Sequence, residues 1–391
     1  MQRIGIYGGA FNPPHLGHMK AAQYAVQALK LDKLLLIPSG TSPHKPLPPG
    51  SPTARQRLEM VGLWAGEKMQ VCDLEIARGG TSYTYETVQQ LKAQYPQDEL
   101  ILCMGTDMFL SFHSWKKPQI ILQNVSLAVF YRGDKGEIAD IAAKKAEYEA
   151  AGHTIYLVEN PVLEISSTQL RRMLVFGCAA PFLHEDVAEF IKENGLYGVG
   201  ENYQNLPIDQ LETVVVNLLK PNRVKHVLGC RDTAAELARV WGANETDAAR
   251  AGLLHDITKA LDGPLQLTLC REYGKVLDEF SQNNPKTLHA LTGSMVAERI
   301  FGENEAVVAA IESHTTGKPA MNTLEKIIYV ADYMEPNRDF PGVEGLRRLA
   351  YTDLDGALKL GLEMTLAMLR EQKRQISPAS SQALEYLTKG K

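Results

Sequence analysis

Apolar positions along the first half of the chain come in short unbroken runs, whereas in the second half they fall into helical stripes. Runs such as Leu34-Leu35-Leu36-Ile37 are apolar at every position, the pattern of a strand covered on both faces. We expect strands at Arg3–Tyr7, Lys33–Pro38, Gln70–Asp73, Glu99–Met104, Ser126–Tyr131 and Thr154–Val158. Spacing of the 3.6-residue type between them predicts helices such as Met19–Lys30, Thr53–Trp64 and Thr84–Tyr95. Strands alternating with helices imply βαβ units and an α/β doubly wound parallel sheet. Ligands of such sheets bind beyond the carboxyl ends of the strands, where Gly8, Gly105 and Arg132 fall.

Beyond Pro207 the pattern becomes helical, at Arg223–Trp241, Thr246–Asp256, Lys286–Phe301, Glu305–His314, Leu324–Met334 and Leu354–Glu371. The glycine-rich stretch from Gly195 to Tyr203 has no such stripe. The expected organisation is an α/β domain over residues 1–198, a linker at 199–207 and an all-α domain over 208–391. Segment Gly40–Pro52 holds five prolines around Lys45 and reads as a surface loop able to close on a ligand.

Composition narrows this picture only slightly. The 391 residues are 45% hydrophobic and 22% charged with a formal net charge of −5, and no Lys/Arg block suggests a nucleic-acid or membrane partner. Five scattered cysteines form no Cys-x-x-Cys pair, which fits a reducing cytoplasm. The chain enters a strand at Arg3, so no signal peptide is expected, and no apolar run reaches the ~20 residues of a spanning helix. The pattern gives no oligomeric state.

Chemistry enters with the first strand. Gly8-Gly9-Ala10-Phe11 follows it, and His15-Leu16-Gly17-His18 opens a helix. Glycines let backbone N–H groups close on phosphate, helix N-termini favour anions, and residues three apart on a helix share a face. His15 and His18 are thus expected to hold a triphosphate by its charge. At the far end of the same domain, Ile165-Ser166-Ser167-Thr168-Gln169-Leu170-Arg171 offers hydroxyls at a helix start and a guanidinium fork matched to phosphate. Ser-Ser-Thr before a helix is commonly just an N-cap; joined to the histidine motif, it points to nucleotide transfer.

These two motifs resemble those of the nucleotidyltransferase superfamily, with a Rossmann-like fold, and more closely the bacterial nicotinate-nucleotide adenylyltransferases. Pro43-His44-Lys45, Ser82-Tyr83-Thr84, Gly105-Thr106-Asp107, Trp115 and Arg132-Gly133 match further landmarks of that family. The resemblance implies that Gly8, Gly9, Phe11, Ser166, Ser167 and Thr168 bind ATP, brought with Mg2+. It implies that Thr84 and Trp115 form a nicotinate pocket, Asp107 contacts a ribose, and Lys45 and Arg132 meet the mononucleotide phosphate. His15, His18 and Arg171 would neutralise charge while the phosphate of nicotinate mononucleotide attacks the α-phosphorus of ATP, a reaction needing positioning rather than a covalent nucleophile.

In the second half, His226, His255-Asp256, His289, His314 and Asp332 each lie in or at the end of a separate predicted helix. Imidazoles with carboxylates suit iron, manganese or zinc, and a carboxylate can bridge two ions. This half resembles the HD superfamily of metal-dependent phosphohydrolases. Leu254–Lys259, His289–Gly293, His314–Gly317 and Ala331–Arg338 resemble phrases of its subgroup of symmetrical diadenosine-tetraphosphate hydrolases. The resemblance implies that His226, His255, Asp256 and Asp332 hold iron or another divalent metal such as manganese. It implies that His289, His314 and Thr315 serve a second ion or a substrate phosphate, and that Lys259 and Arg338 neutralise the polyphosphate. The metal would supply the activated water.

The expectation is a bifunctional enzyme that makes nicotinate adenine dinucleotide and splits diadenosine tetraphosphate into two ADP. The rivals are a first domain that adenylylates nicotinamide mononucleotide or phosphopantetheine, and a second that is a nucleotide phosphatase or a nucleotide sensor without turnover.

Overall fold

Six strands carry the first half of this computed structural model, which describes residues 1–41, 47–131, 135–159 and 165–389, without the side chains of 135 and 136. They are β1 Arg3–Gly9, β2 Lys33–Pro38, β3 Met69–Val71, β4 Glu99–Gly105, β5 Ser126–Tyr131 and β6 Ile155–Glu159. Every neighbouring pair is parallel and the order is β3-β2-β1-β4-β5-β6, so the sheet winds outward both ways from β1 and β4, as the alternation predicted. Ile4, Leu34, Leu36, Ile101, Leu127 and Val129 are fully buried, the reason these runs carry no polar position. Gly5 is required by packing, since a Cβ there would stand 2.5 Å from Leu31 Cδ1 and 2.6 Å from Leu34 Cδ1.

One boundary differs in a way that matters. Strand β1 runs two residues further than expected, with Gly8 and Gly9 still in register with Ile37 and Pro38 of β2. The turn therefore begins at Ala10, not at Gly8. The third strand is shorter than expected and passes into a helix at Leu74–Arg78.

Two compact units divide the chain, Met1–Glu201 and Asn202–Lys391. The second has no strand among its described residues. Its helices include Pro221–Trp241, Glu245–Leu254, His289–Arg299, Glu305–Ser313, Thr323–Met334 and Leu354–Glu371. Two differ from expectation at chemically important ends. The helix expected to reach Asp256 stops at Leu254 and gives way to turns, and the one expected from Lys286 starts at His289 after a short turn at Pro285–Thr287.

Candidate functional site

In the first unit, His15 caps the helix Leu16–Ala28. The His15 N–H donates to His18 Nδ1 at 3.2 Å and the His18 N–H donates to His15 Nδ1 at 3.4 Å, so the two rings close a reciprocal cap. The rings stack with centroids 3.7 Å apart. With both Nδ1 atoms accepting, each Nε2 carries the proton and is left to donate. Burial holds His15 well below its usual pKa and lowers His18 to about 4. The rings are thus uncharged at neutral pH and act as fixed N–H donors, where the sequence had suggested cations.

The motif at 165–171 does meet the loop after β1. Ser167 Oγ donates to Pro13 O at 3.0 Å, and Arg171 Nη1 donates to Asn12 O at 2.7 Å. Arg171 also reaches Thr168 Oγ1 at 3.2 Å. Ser166 is the N-cap of the helix Ser167–Val175, in a capping box with Gln169. Gly8 and Gly9 border a cavity of about 370 Å3 whose lining also includes Tyr7, Thr84, Trp115 and Lys116.

Other expected residues fall elsewhere. Phe11 is 1% exposed, with its ring edge-on to His18 at 5.1 Å, and does not line the cavity. Asp107 is exposed in the first turn of the helix Thr106–Leu110 and does not line the cavity. Lys45 and Arg132 lie outside the described residues.

Sequence reasoning missed Lys116, whose ammonium sits 3.7 Å over the Tyr83 ring at the cavity wall. It also missed Asn12, a buried hub whose Oδ1 accepts from Tyr197 Oη at 2.8 Å while its Nδ2 donates to Ser51 Oγ at 2.9 Å. The dibasic Lys116-Lys117 beside Trp115 was a usable signal; Tyr197 left none.

In the second unit all six metal-type residues converge. His226 Nε2 lies 3.1 Å from Asp332 Oδ1 and 3.3 Å from His255 Nε2. Asp256 sits in the middle: Oδ2 is 3.5 Å from His255 Nε2, whereas Oδ1 is 3.4 Å from His289 Nε2 and 3.8 Å from His314 Nε2. His255 and Asp256 are fully buried.

The histidines are oriented by their other nitrogens. The Nδ1 of His255 lies 2.7 Å from Gly252 O, that of His289 3.0 Å from Lys286 O, and that of His314 2.6 Å from Ile311 O. His226 Nδ1 is held at 3.0 Å by Glu335 Oε1, a buried carboxylate that the sequence reading passed over although it lies inside Ala331–Arg338. With Nδ1–H donating outward, the Nε2 lone pairs point inward. Burial lowers the pKa of His255, His289 and His314, keeping them neutral. The buried Asp256 Oδ1 accepts no hydrogen bond. Inward lone pairs around a carboxylate oxygen that accepts no hydrogen bond suit a divalent cation, so the residues fit the metal that this arrangement implies.

Cations ring the cluster. Lys259 Nζ is 2.9 Å from His289 Nε2 and 3.4 Å from Asp256 Oδ1. Arg338 donates to Asp332 Oδ1 at 2.6 Å, and Arg223, which was not foreseen, pairs with Asp256 Oδ2. Thr315 Oγ1 is 3.2 Å from both His289 Nε2 and His314 Nε2.

Comparison with known proteins assigns each half. Residues 6–173 match the cytidylyltransferase-like family and residues 223–337 the HD domain. A protein of Citrifermentans bemidjiense named "Probable nicotinate-nucleotide adenylyltransferase" is 35% identical over 213 residues, covering 50% of this chain and 98% of that protein. The symmetrical bis(5'-nucleosyl)-tetraphosphatase of Halalkalibacterium halodurans is 41% identical over 168 residues, covering 42% of this chain and 89% of that protein. A crystal structure described as a predicted HD superfamily hydrolase involved in NAD metabolism, from Clostridium acetobutylicum, has 37% identity and a TM-score of 0.46, covering 48% of this chain and 99% of its own. The chain belongs to the nicotinate-nucleotide adenylyltransferase family through its first half and to the symmetrical bis(5'-nucleosyl)-tetraphosphatase family through its second. It therefore joins a nucleotidyltransferase and an HD-type hydrolase, two enzyme families, in one chain.

Proposed function

We propose that the first unit transfers the adenylyl group of ATP to nicotinate mononucleotide, giving nicotinate adenine dinucleotide. The observation that carries this reading is the junction of Ser167 and Arg171 with the loop that presents His15 and His18, beside a cavity walled by Thr84, Trp115 and Lys116. A phosphate oxygen of the mononucleotide attacks the α-phosphorus of ATP; the bond to the β-phosphate breaks, and pyrophosphate leaves with its Mg2+. The Nε2–H groups of His15 and His18 donate to phosphate oxygens as charge moves onto the leaving group. Lys116 at the cavity wall favours an acceptor whose ring carries a carboxylate. Arg171 contributes by holding Asn12 O in place, in addition to its charge. Offering nicotinate mononucleotide, nicotinamide mononucleotide and phosphopantetheine with Mg-ATP tests the assignment, and preference for either of the latter two overturns it.

For the second unit we propose metal-dependent hydrolysis of diadenosine tetraphosphate to two ADP. Its support is the convergence of His226, His255 and Asp332 on one side of Asp256 and of His289 and His314 on the other. His226, His255, Asp256 and Asp332 would hold a principal iron or manganese ion, with His289 and His314 serving a second ion or a phosphate. A divalent ion held by these residues would supply Lewis-acid polarisation of a phosphoryl oxygen and a water of lowered pKa. Lys259, Arg223 and Arg338 stand where they balance polyphosphate charge, and Glu335 fixes the His226 ring. Measuring bound metal and ADP release on the full chain, with Asp256→Ala as control, tests this. Orthophosphate as product favours a phosphatase, and nucleotide binding without turnover favours a sensor. We place both activities in the cytoplasm; none of the five cysteines is in a disulfide among the described residues, and no described helix is long and apolar enough to cross a membrane.

A further inference from the structure

Arg57, in the helix Ala54–Gly62, heads the fully buried side chains by volume at 1% exposure. Among the described residues its guanidinium hydrogen-bonds only to backbone oxygens. Nη1 donates to Ala10 O at 2.6 Å, and Nη2 donates to Ser39 O at 2.7 Å and Gly40 O at 3.1 Å. Nε is buried without a partner. Among the described residues no carboxylate forms an ion pair with it.

Those three carbonyls belong to two different strand ends. Ala10 opens the turn after β1, next to Gly8 and Gly9. Ser39 and Gly40 follow β2, and the Gly40 N–H donates to Ser82 Oγ at 3.0 Å on the cavity wall that also carries Thr84. One side chain therefore ties the turn after β1 to the wall of the cavity.

A buried guanidinium is costly without an anion, because desolvation is not repaid by neutral carbonyls alone. A brace could be built more cheaply from a neutral amide. The arrangement makes sense if an anion arrives close by. We propose that Arg57 is a positioning residue of the adenylyl-transfer site: acting through Ala10, Ser39 and Gly40, it fixes the turn after β1 and lends it the positive charge that the ATP polyphosphate balances. This rests on the adenylyl-transfer reading of the first unit.

The test compares Arg57→Lys, which keeps charge, with Arg57→Gln, which keeps a donor but not charge, both in the full chain. Steady-state kinetics are read separately against ATP and nicotinate mononucleotide. Arg57→Gln is expected to raise the KM for ATP about tenfold, with the KM for the mononucleotide little changed, and Arg57→Lys to recover most of that loss. Where Arg57→Gln is too unstable for turnover, the rise in its unfolding midpoint on adding Mg-ATP is read at low temperature and should be smaller than in the parent. A parent-like ATP response in Arg57→Gln, or equal losses in both variants against both substrates, overturns the inference. A parent chain that forms no dinucleotide instead refutes the underlying adenylyl-transfer reading.

Discussion

Replacing Gly229 by alanine should weaken the metal cluster without touching any residue in it. Gly229 lies inside the helix Pro221–Trp241, where glycine to alanine ordinarily stabilises by roughly 1 kcal/mol. Here the new Cβ would stand 2.4 Å from Glu335 Oε2 and 3.0 Å from Asn337 Nδ2. A flexible side chain would usually step aside. Glu335 is 1% exposed, however, and its Oε2 accepts from Asn337 N at 2.7 Å and Asn337 Nδ2 at 2.8 Å, while Oε1 holds His226 Nδ1. Moving it disturbs three hydrogen bonds to a buried carboxylate, so after relaxation we expect a net loss of about 2 kcal/mol. With His226 unanchored, metal affinity should fall about 10–100-fold, or ~1.4–2.7 kcal/mol. Gly345→Ala in the helix Val343–Ala350 is the control. Nothing lies within 4 Å of its added Cβ, and it should gain the ordinary roughly 1 kcal/mol. Urea unfolding in chelator gives the stabilities and calorimetric titration with Mn2+ gives the affinities. A Gly229→Ala protein as stabilised as Gly345→Ala, binding manganese like the parent, would refute the reasoning.

Other consequences can be checked separately. His18→Ala should lower adenylyl-transfer turnover about a hundredfold or more with a smaller effect on ATP binding, and an unchanged rate removes His18 from the transition state. Because burial lowers His18 to about 4 and His15 well below its usual value, the unfolded chain takes up protons below about pH 6.5 that the folded chain refuses. Stability contributed by these neutral rings is therefore present above that pH and falls as pH drops towards 4. The double variant His15→Asn, His18→Asn should show a shallower decline in denaturant midpoint between pH 7 and 5. Tyr197→Phe removes the donor to the buried Asn12 Oδ1 and should cost about 1–2 kcal/mol by denaturant unfolding. Manganese at a hundred times its dissociation constant should raise the stability of the second unit by about 2.7 kcal/mol, a gain that chelator abolishes.

The sheet was legible because its central strands are buried on both faces, so runs such as 34–37 and 127–129 carry no polar residue to confuse the period, whereas the edge strands β3 and β6 are only partly buried. The clustering of His226, His255, Asp256, His289, His314 and Asp332 was legible because imidazoles and carboxylates recurred in successive predicted helices. Their geometry was not. On a continuing helix, adjacent His255 and Asp256 would point about 100° apart. The chain leaves the helix at Leu254, and both side chains enter one cluster. Arg57 and Tyr197 were invisible for a different reason: a carbonyl is present at every position, so a side chain that works through Ala10 O, or through an amide far away in sequence, leaves no spacing to read. Charge state was equally hidden, since the neutrality of His15 and His18 comes from burial that only the folded unit creates.

The hydroxyl of Tyr197 gives the first unit an unusual rule of assembly. The residue sits in the short turn Leu196–Gly198 with a left-handed backbone, φ 59°, and reaches back to the loop before His15. The unit thus uses its trailing turn as a latch on its leading loop. Any neighbour grafted onto it must be attached downstream of that latch, as the division at Glu201 and Asn202 is here. A junction upstream of Tyr197 would leave the sheet whole and the loop before His15 without this contact. Joining another chain at this division is therefore expected to keep the contact between Tyr197 and Asn12, and joining upstream of Tyr197 to lose it.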